Sequence, residues 1–341
     1  AALAIVKLGA GAALINNSLG GSALVHCLQA TAASACIVGE ERVEALDAVR
    51  GDLELRSLFW FADRGAAACP NWAEDAGASM ADMGTDNLPA TREITAGETA
   101  FYIFTSGTTG LPKAAITVHR RLLGAGQVLG RLGFRLKPED RLYLCLPIYH
   151  ITGMGPGFCG FIAGGGSIFL RRSFSASSFW REVREYNTNC FIYVGELCRY
   201  LANQPVTAEE KDNPLEKMMG NGLRPDVWDT FKSRFGVSRI SEIYGSSEGN
   251  VTFINLLNKD RTIGAAVSKV AVVRFDTEND AIVRDSDGRC IEVGQGEAGL
   301  LLGVINQSAS CEGDSNVAAT VCKIVGEVMA PGDGGCLTGE L

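Results

Sequence analysis

Strand-like and helix-like segments alternate through most of this chain, and that alternation limits the folds open to it more than any other feature. Residues 35–39, 99–104, 141–146 and 191–194 are short apolar or β-prone runs. Helical segments such as 196–203 separate them, and strands joined through helices usually pair in parallel. The helices then cover both faces of the sheet. The sequence therefore predicts an α/β fold built on a mainly parallel sheet.

The pattern changes towards the carboxyl terminus. Residues 270–275 show strand-like alternation, and Asp287 and Gly288 form a dipeptide typical of a hairpin turn. Short antiparallel strands of this kind favour a small barrel or sheet. The pattern therefore predicts an α/β part up to about residue 264 and an antiparallel part from residue 265 onwards.

Charge and cysteine content exclude several classes of function. The 341 residues include 31 Lys and Arg against 39 Asp and Glu, a formal net charge of −8. No run of five like charges occurs, so the basic footprint of a nucleic-acid-binding protein is missing, and we predict no nucleic-acid partner. The 11 cysteines include no Cys-x-x-Cys pair. This argues against a zinc site or a small disulfide framework and favours reduced, buried thiols.

One uncharged run, residues 151–170, is long enough to cross a membrane. It contains seven glycines, which disfavour a stable isolated helix, so we predict a buried loop, helix and strand there. The chain also opens with Ala1 inside an apolar stretch that no basic segment precedes. We therefore predict a segment of a longer protein, without a targeting signal, rather than a secretory leader.

A loop rich in glycine and hydroxyl groups follows the strand-like run 99–104. Its residues are Thr105, Ser106, Gly107, Thr108, Thr109, Gly110, Leu111, Pro112 and Lys113. Glycines allow successive backbone N–H groups to point at one anion, hydroxyls add donors, and the lysine adds a positive charge. The loop differs from the Walker pattern because Lys113 leads into a β-prone run rather than a helix. The pattern predicts a phosphate-binding loop; a plain polar turn is the alternative, and nine specified positions in a row argue against it.

Two further loops carry groups suited to a nucleotide. One consists of Tyr244, Gly245, Ser246, Ser247, Glu248 and Gly249, and the other begins with Gly220, Asn221 and Gly222. A tyrosine ring can stack on a purine, a serine hydroxyl can bond a phosphate, and a glutamate oxygen suits Mg²⁺. By itself, each loop could also be an ordinary glycine turn.

The three loops together resemble the acyl-adenylate-forming superfamily, which includes acyl-CoA synthetases, peptide-synthetase adenylation domains and luciferases. More narrowly, the chain is similar to the fatty acid transport protein/very-long-chain acyl-CoA synthetase family. The narrower resemblance rests on Ala114 and Ala115 after the lysine, and on residues 145–150, 174–177 and 195–201. It implies the large amino-terminal domain of such an enzyme, with two αβα subdomains at residues 1–264 and part of a β-barrel subdomain at residues 265–341.

The resemblance also implies a role for each matching residue. Thr105, Ser106, Gly107, Thr108, Thr109, Gly110 and Lys113 would hold the β- and γ-phosphates of ATP. Gly220, Asn221, Gly222, Tyr244, Gly245 and Ser246 would form the adenine slot, Ser247 would contact the α-phosphate, and Glu340 would bind the ribose. Glu248 and Thr105 would hold Mg²⁺, and Tyr149, His150, Val194 and Gly195 would border the acid. Catalysis would rest on Lys113, Thr105, Glu248 and His150.

Three departures from the family pattern bear on activity. Ser247 stands where the family usually has threonine, and Glu340 stands where it has the aspartate of a Thr-Gly-Asp motif. The chain ends at Leu341, before the hinge and small C-terminal domain that the resemblance implies. We therefore expect this segment not to complete the reaction by itself.

The implied reaction activates a long- or very-long-chain fatty acid with ATP and Mg²⁺, through an acyl-adenylate, and transfers the acyl group to coenzyme A. The resemblance also implies that the full-length protein associates with a membrane, at the cytosolic face of the endoplasmic reticulum, a peroxisome or the plasma membrane. Two alternatives stay open. One is an adenylating ligase for another carboxylic acid, and the other is a non-catalytic protein that binds nucleotide or lipid.

Overall fold

The computed structural model of the chain describes residues 1–63, 65, 67–105, 111–245, 251–305, 324–330 and 332–337. Within these residues the chain divides into two units, one comprising Ala1–His119 and a second that starts at Arg120. Residues 106–110 and 246–248 and Glu340, all of which the sequence assigns to the nucleotide site, lie outside the described residues.

The first unit contains two small sheets flanked by short helices. Its strands are β1 (Ala12–Leu14), β2 (Ala35–Gly39), β3 (Ser57–Phe61), β4 (Glu74–Asp75), β5 (Thr99–Thr105) and β6 (Lys113–Val118). Its helices are α1 (Ala2–Lys7), α2 (Gly21–Ala30), α3 (Val43–Asp47) and α4 (Ala76–Met80), with 3₁₀ turns at Glu40–Arg42, Arg50–Asp52 and Pro89–Arg92. Strands β2, β3 and β4 pair in parallel, whereas β5 pairs in parallel with β1 and antiparallel with β6.

Helix α2 packs through one apolar face. Leu24 and Leu28 are one helical turn apart and lie in a buried cluster with Trp60 of β3. Cys27, from the same helix, is buried in a second cluster with Phe104 of β5. The helix is thereby fixed against both sheets of the unit.

A seven-stranded sheet forms the middle of the second unit. Its strands are β7 (Arg141–Leu144), β8 (Ser167–Leu170), β9 (Cys190–Val194), β10 (Lys217–Asn221), β11 (Arg239–Gly245), β12 (Thr252–Ile254) and β13 (Ala265–Ala266). They lie in the order β13-β12-β11-β10-β9-β7-β8. Strands β7 to β11 are parallel, and β12 and β13 are antiparallel. The parallel sheet predicted from the alternation is confirmed.

Helices cover both faces of this sheet. They are α5 (His119–Ala125), which continues as the π-helix Gly126–Phe134, the π-helix Gly153–Cys159 with α6 (Gly160–Gly164) after it, α7 (Phe179–Glu185), α8 (Gly195–Ala202) and α9 (Pro225–Ser233). A 3₁₀ turn lies at Ala208–Glu210. Phe179 and Trp228 pack with Phe191 of β9, whereas Phe134 and Phe161 pack in a separate cluster with the residues on either side of Phe191. Because successive strand residues point to opposite faces, the two clusters lie on opposite sides of the sheet.

Glycines bring two of these helices together at backbone level. A Cβ on Gly126 would lie 2.4 Å from the Cβ of Ala163, and one on Gly130 would lie 2.6 Å from the carbonyl oxygen of Gly160. No side chain larger than hydrogen fits at either contact. The π-helix Gly126–Phe134 therefore packs directly on α6.

The uncharged run 151–170 forms part of this layer. It contains the π-helix Gly153–Cys159, α6 and strand β8, so the predicted helix and strand are present. The π-helix is mostly buried, whereas β8 is partly exposed because it lies at the edge of the sheet. Within the part of the chain that the structure describes, no helix has the length and apolar character needed to cross a membrane.

The strands that follow are short and antiparallel, as predicted. They are β14 (Val270–Val273), β15 (Phe275–Asp276), β16 (Ala281–Ile282), β17 (Leu300–Ile305), β18 (Ile324–Gly326) and β19 (Gly334–Leu337). A four-stranded sheet has the order β14-β17-β19-β18, and β15 pairs with β16. Gly288 has a φ of +82° in the predicted turn, a conformation that favours glycine. The division into αβα and β-barrel subdomains at residue 265 stays a prediction.

Candidate functional site

Thr105 and Lys113 lie directly opposite each other where β5 and β6 join the glycine- and hydroxyl-rich loop. Both residues are half-buried, and β6 begins at Lys113, as the sequence predicts. Antiparallel pairing holds the two ends of the loop at the spacing of adjacent strands. A hydroxyl and an ammonium group therefore stand at the two ends of the loop, on the same face of the sheet.

Helix α2 reaches the same loop through His26. The Nε2 atom of His26 lies 2.9 Å from the carbonyl oxygen of Pro112. A carbonyl can only accept, so the imidazole is the donor. This half-buried hydrogen bond holds the peptide group that immediately precedes Lys113.

In the second unit, five predicted residues meet at the carboxyl ends of neighbouring parallel strands. They are Val194, Gly195, Gly220, Asn221 and Gly222. Asn221 pairs with Val194, and a Cβ on Gly195 would lie only 1.8 Å from the carbonyl oxygen of Gly222. Gly222 itself has a φ of +78°. This edge of a parallel sheet is the usual place for a ligand crevice.

Tyr244 and Gly245 continue this edge at the end of β11. The Tyr244 side chain is 40% exposed, and its ring packs edge-on against Phe253 with centroids 6.1 Å apart. Part of the ring therefore remains accessible for stacking. A Cβ on Gly245 would lie 2.9 Å from the carbonyl oxygen of Val251, so close packing favours glycine there.

A cavity of about 390 Å³ opens beside these strand ends. Its wall consists of Arg121, Leu122, Gly124, Ala125, Val128, Leu129, Ile151, Thr152, Gly155, Pro156, Asn221, Ile243, Tyr244, Gly245, Thr252 and Val267. The two helical stretches supply mostly apolar surface, and the strand ends supply an amide, a phenol and a threonine hydroxyl. A volume in the range of about 300–1,000 Å³ with few polar groups is typical of small-molecule sites.

Tyr149 and His150 immediately precede the wall residue Ile151. Their ring centroids are 4.8 Å apart. The carbonyl oxygen of His150 accepts a hydrogen bond from the N–H of Met154 at 2.9 Å, which starts the helix that lines the cavity. Partial burial of the imidazole lowers the pKa of His150 and favours the neutral ring.

Sequence reasoning missed most of the cavity wall. Four predicted acid-binding residues lie next to wall residues in the chain or the sheet but do not line the cavity themselves: Tyr149, His150, Val194 and Gly195. Leu122, Ala125 and Leu129 do line it, at the i, i+3, i+7 spacing of one helix face. That spacing could have revealed the wall, although four glycines between residues 124 and 133 obscure it.

The predicted Mg²⁺ ligands are only partly described. Thr105 offers a hydroxyl oxygen at the loop, and Glu248 lies outside the described residues. Alcohol and carboxylate oxygens are donors that Mg²⁺ accepts alongside the phosphates of ATP. Within the described ranges, no group of three or more His, Cys, Asp or Glu side chains is arranged to hold a metal ion.

Comparison with known proteins gives a consistent result. A family model described as AMP-binding enzyme matches residues 1–302. The Medium/long-chain-fatty-acid--CoA ligase FadD6 of Mycobacterium tuberculosis is 39% identical over 349 residues, covering 100% of this chain and 55% of that protein. The Long-chain fatty acid transport protein 1 of Homo sapiens is 37% identical over 360 residues, covering 99% of this chain and 54% of that protein. This chain spans about half the length of these curated relatives.

Solved structures give the same fold. The anthranilate CoA ligase AuaEII, in complex with anthranoyl-AMP, matches with a TM-score of 0.78 at 18% sequence identity. The match covers 98% of this chain and 64% of that one. At this identity, the likeness shows the fold alone.

Proposed function

The chain belongs to the AMP-binding enzyme family, and from that premise we propose that it carries the nucleotide- and acid-binding part of a ligase that activates long-chain fatty acids. The proposed substrates are a fatty acid, ATP and coenzyme A. The names of the two curated relatives support a fatty acid over other acids.

One observation carries the proposal: a single cavity combines an apolar helical wall with polar groups from the strand ends. Leu122, Val128 and Leu129 line the cavity and would cover the hydrocarbon tail, whereas Asn221 and Tyr244, also in its wall, would contact the nucleotide base. Each methylene group transferred from water into such a wall contributes about 0.8 kcal/mol. An apolar acid therefore gains far more from this cavity than a polar one.

The reaction follows from the poor reactivity of a carboxylate. Its oxygen attacks the α-phosphorus of ATP, which forms an acyl-adenylate and releases pyrophosphate. The thiol of coenzyme A then attacks the acyl carbon, and AMP leaves. Negative charge accumulates on the phosphates in the first step, so the protein accelerates it with preorganised positive charge and N–H donors.

The residues on each unit have separate proposed tasks. Lys113 and Thr105 would bind the β- and γ-phosphates, with the loop 106–110 between them. Tyr244 would stack on adenine, and His150, with a neutral ring, would lie by the carboxylate of the acid. Mg²⁺, held by Thr105 and Glu248, would neutralise phosphate charge when bound.

Two further features belong to the proposal. Residues 1–264 would form the αβα subdomains and residues 265–341 part of a β-barrel subdomain. The longer protein would act at the cytosolic face of a membrane, in keeping with relatives named as fatty acid transport proteins.

Binding of stable adenylate mimics tests the proposal. Purified chain is titrated calorimetrically with palmitoyl, benzoyl and leucyl sulfamoyl-adenosines, in which a sulfamoyl group replaces the reactive phosphate. We expect the palmitoyl compound to bind at least about tenfold more tightly than the others, a difference of about 1.4 kcal/mol.

The other outcomes separate the alternatives. Tightest binding of the benzoyl or leucyl compound would assign the chain to a ligase for another acid. If the chain binds palmitate but neither MgATP nor any of the adenosine compounds, it is a lipid-binding protein and the ligase proposal is refuted.

A further inference from the structure

Glu242 is a buried carboxylate just beneath the strand ends that border the cavity. It lies on β11, two residues before Tyr244, and is only 4% exposed. A buried carboxylate is very costly unless hydrogen bonds or a charge compensate for lost water. Its partners therefore reveal which part of the structure depends on it.

The hydrogen bonds to Glu242 come from strand β9 and from the loop that follows β10. The backbone N–H of Leu223 donates to Oε1 at 3.0 Å, and the N–H of Gly222 also donates to the carboxylate. The hydroxyl of Tyr193, a fully buried residue of β9, donates to Oε2. One carboxylate thus joins β9, β11 and the loop that follows β10.

That loop has little room to adopt another path. The φ of +78° at Gly222 is a conformation that favours glycine. The carbonyl oxygen of Gly222 also lies so close to Gly195 that no side chain fits at position 195. The N–H groups of Gly222 and Leu223 both point at Glu242. Asn221, the residue before them, lines the cavity.

We propose that Glu242 and Tyr193 are positioning residues for the nucleotide, which orient Asn221 and Gly222 towards adenine without contacting it. Glu242 acts on the loop through the backbone N–H groups of Gly222 and Leu223, and Tyr193 acts by holding Glu242 in place. The inference rests on the proposed function, because that function assigns adenine to this loop.

The fold contains a matched control for the test. Tyr143, on β7 of the same sheet, is fully buried and donates its hydroxyl to Glu182 Oε2 at 2.5 Å. Replacing Tyr143 or Tyr193 by phenylalanine removes a hydroxyl that donates to a carboxylate with other partners, which are Arg171 for Glu182 and backbone N–H groups for Glu242. Both variants lose one buried hydrogen bond, but only Tyr193 bonds to the carboxylate that holds the loop after β10.

MgATP affinity is measured by calorimetry for the wild-type chain and for Tyr193→Phe, Glu242→Gln and Tyr143→Phe. We expect Tyr193→Phe and Glu242→Gln each to weaken binding about tenfold, which is about 1.4 kcal/mol, and Tyr143→Phe to bind within about twofold of wild type. Hydrogen exchange of the Gly222 and Leu223 amides should accelerate in the first two variants and stay unchanged in the third.

The failures of the two proposals are distinguishable. If the wild-type chain binds MgATP and Tyr193→Phe binds it as tightly as Tyr143→Phe does, the positioning role is refuted while the ligase assignment stands. If the Glu242→Gln variant is too unstable to measure, the MgATP affinity of Tyr193→Phe and the hydrogen exchange of the wild type test the positioning role instead. Rapid exchange of the Gly222 and Leu223 amides in the wild type would refute that role. A wild-type chain that binds no nucleotide overturns both proposals.

Discussion

The imidazole of His26 donates a hydrogen bond across 2.9 Å to the carbonyl oxygen of Pro112, and so joins helix α2 to the residue before Lys113. The helix is anchored independently by Leu24, Cys27 and Leu28. It can therefore act as a fixed support for the carboxyl end of the loop at residues 105–113, which we propose binds phosphate. Without this bond, the peptide between Pro112 and Lys113 would lose a side-chain restraint.

Replacing His26 tests that support. We expect His26→Ala to weaken MgATP binding about three- to tenfold, since a net hydrogen bond contributes about 0.5–1.5 kcal/mol. His26→Gln, whose amide can still donate, should recover most of the affinity. The measurement is calorimetric titration of the chain with MgATP.

Gln29 provides the control on the same helix. Its side-chain amide donates to the carbonyl oxygen of Asp52 at 3.1 Å, a bond of the same type aimed away from the loop. Gln29→Ala should leave MgATP affinity unchanged. Equal effects of the Gln29 and His26 substitutions would show that α2 acts only through general stability.

Lys113 should dominate phosphate binding. We expect Lys113→Ala to weaken MgATP binding at least about tenfold, because its ammonium group is the charge placed at the end of the loop. Affinity for adenosine, which has no phosphate, should not change. Lys211, an exposed lysine of the second unit, serves as the control, and Lys211→Ala should bind MgATP normally. Normal MgATP binding by Lys113→Ala would contradict the assignment of the loop.

Gly155 offers a way to shorten the cavity. It is buried in the wall, and a Cβ there would meet only Ile151, at an ordinary 3.6 Å. In Gly155→Leu, the Cβ atom should therefore fit beside Ile151, and the rest of the side chain should fill part of the cavity. We expect weaker binding of a palmitoyl sulfamoyl-adenosine and unchanged binding of an octanoyl one.

A substitution at the nearby Gly157 serves as a control, because it should disturb the packing of the helix without filling the cavity. A Cβ on Gly157 would lie 3.1 Å from Leu144 and 3.2 Å from the carbonyl oxygen of Thr152. Gly157→Ala should thus lower thermal stability with no selective effect on acyl chain length. If Gly155→Leu weakens both acyl compounds equally, the tail does not occupy this part of the cavity.

A buried ion pair should make the second unit sensitive to acid. Asp140 accepts a hydrogen bond from Lys217 Nζ at 2.6 Å, and from Asn189 and the N–H of Lys137. Burial acts to raise the pKa of Asp140, but these hydrogen bonds outweigh it and hold the pKa below its usual value. The stabilisation is therefore present above the unfolded-state pKa and is lost as pH falls through the folded-state pKa.

We expect Asp140→Asn to lower the free energy of unfolding by about 3–5 kcal/mol at pH 7, since it leaves Lys217 charged and buried. The difference from wild type should shrink as pH falls below about 4, where an ordinary aspartate is protonated. Urea unfolding at several pH values measures it. Asp47→Asn, which breaks an exposed pair with Arg50, should cost no more than about 1 kcal/mol. If the free energies of unfolding of Asp140→Asn and wild type differ by the same amount at every pH, the ionised carboxylate of Asp140 is not the cause of the lost stability.

The strands could be predicted because their signals are local, whereas the assignment of the glycine-rich loops to a nucleotide stays a prediction. The β-prone run 99–104 corresponds to Thr99–Thr105, and the apolar run 191–194 to Cys190–Val194. Helix α5 and its π-helical continuation were not predicted, because glycines at 124, 126, 130 and 133 give the segment poor helix propensity. Packing outweighs that low propensity, because glycine is the only residue type that fits against α6 at positions 126 and 130.

The supporting contacts of the site could not be predicted for a different reason. His26 and Pro112 are 86 positions apart, and Tyr193 and Glu242 are 49 apart. Only the folded chain brings them together, and neither pair has a spacing that a local pattern could reveal. Contacts between distant positions such as these become visible only in the folded structure.

The direct backbone contact between Gly130 and Gly160 restricts how related proteins could come to prefer different acids. Because the two helices already touch without intervening side chains, they cannot move closer, and separating them would open a gap in a packed layer. Changes in the volume of the cavity must therefore arise from substitution of the side chains that project into it, while the two helices keep their positions. Selection for a shorter or longer substrate should leave these glycines untouched and concentrate substitutions at positions such as Leu122, Val128 and Gly155.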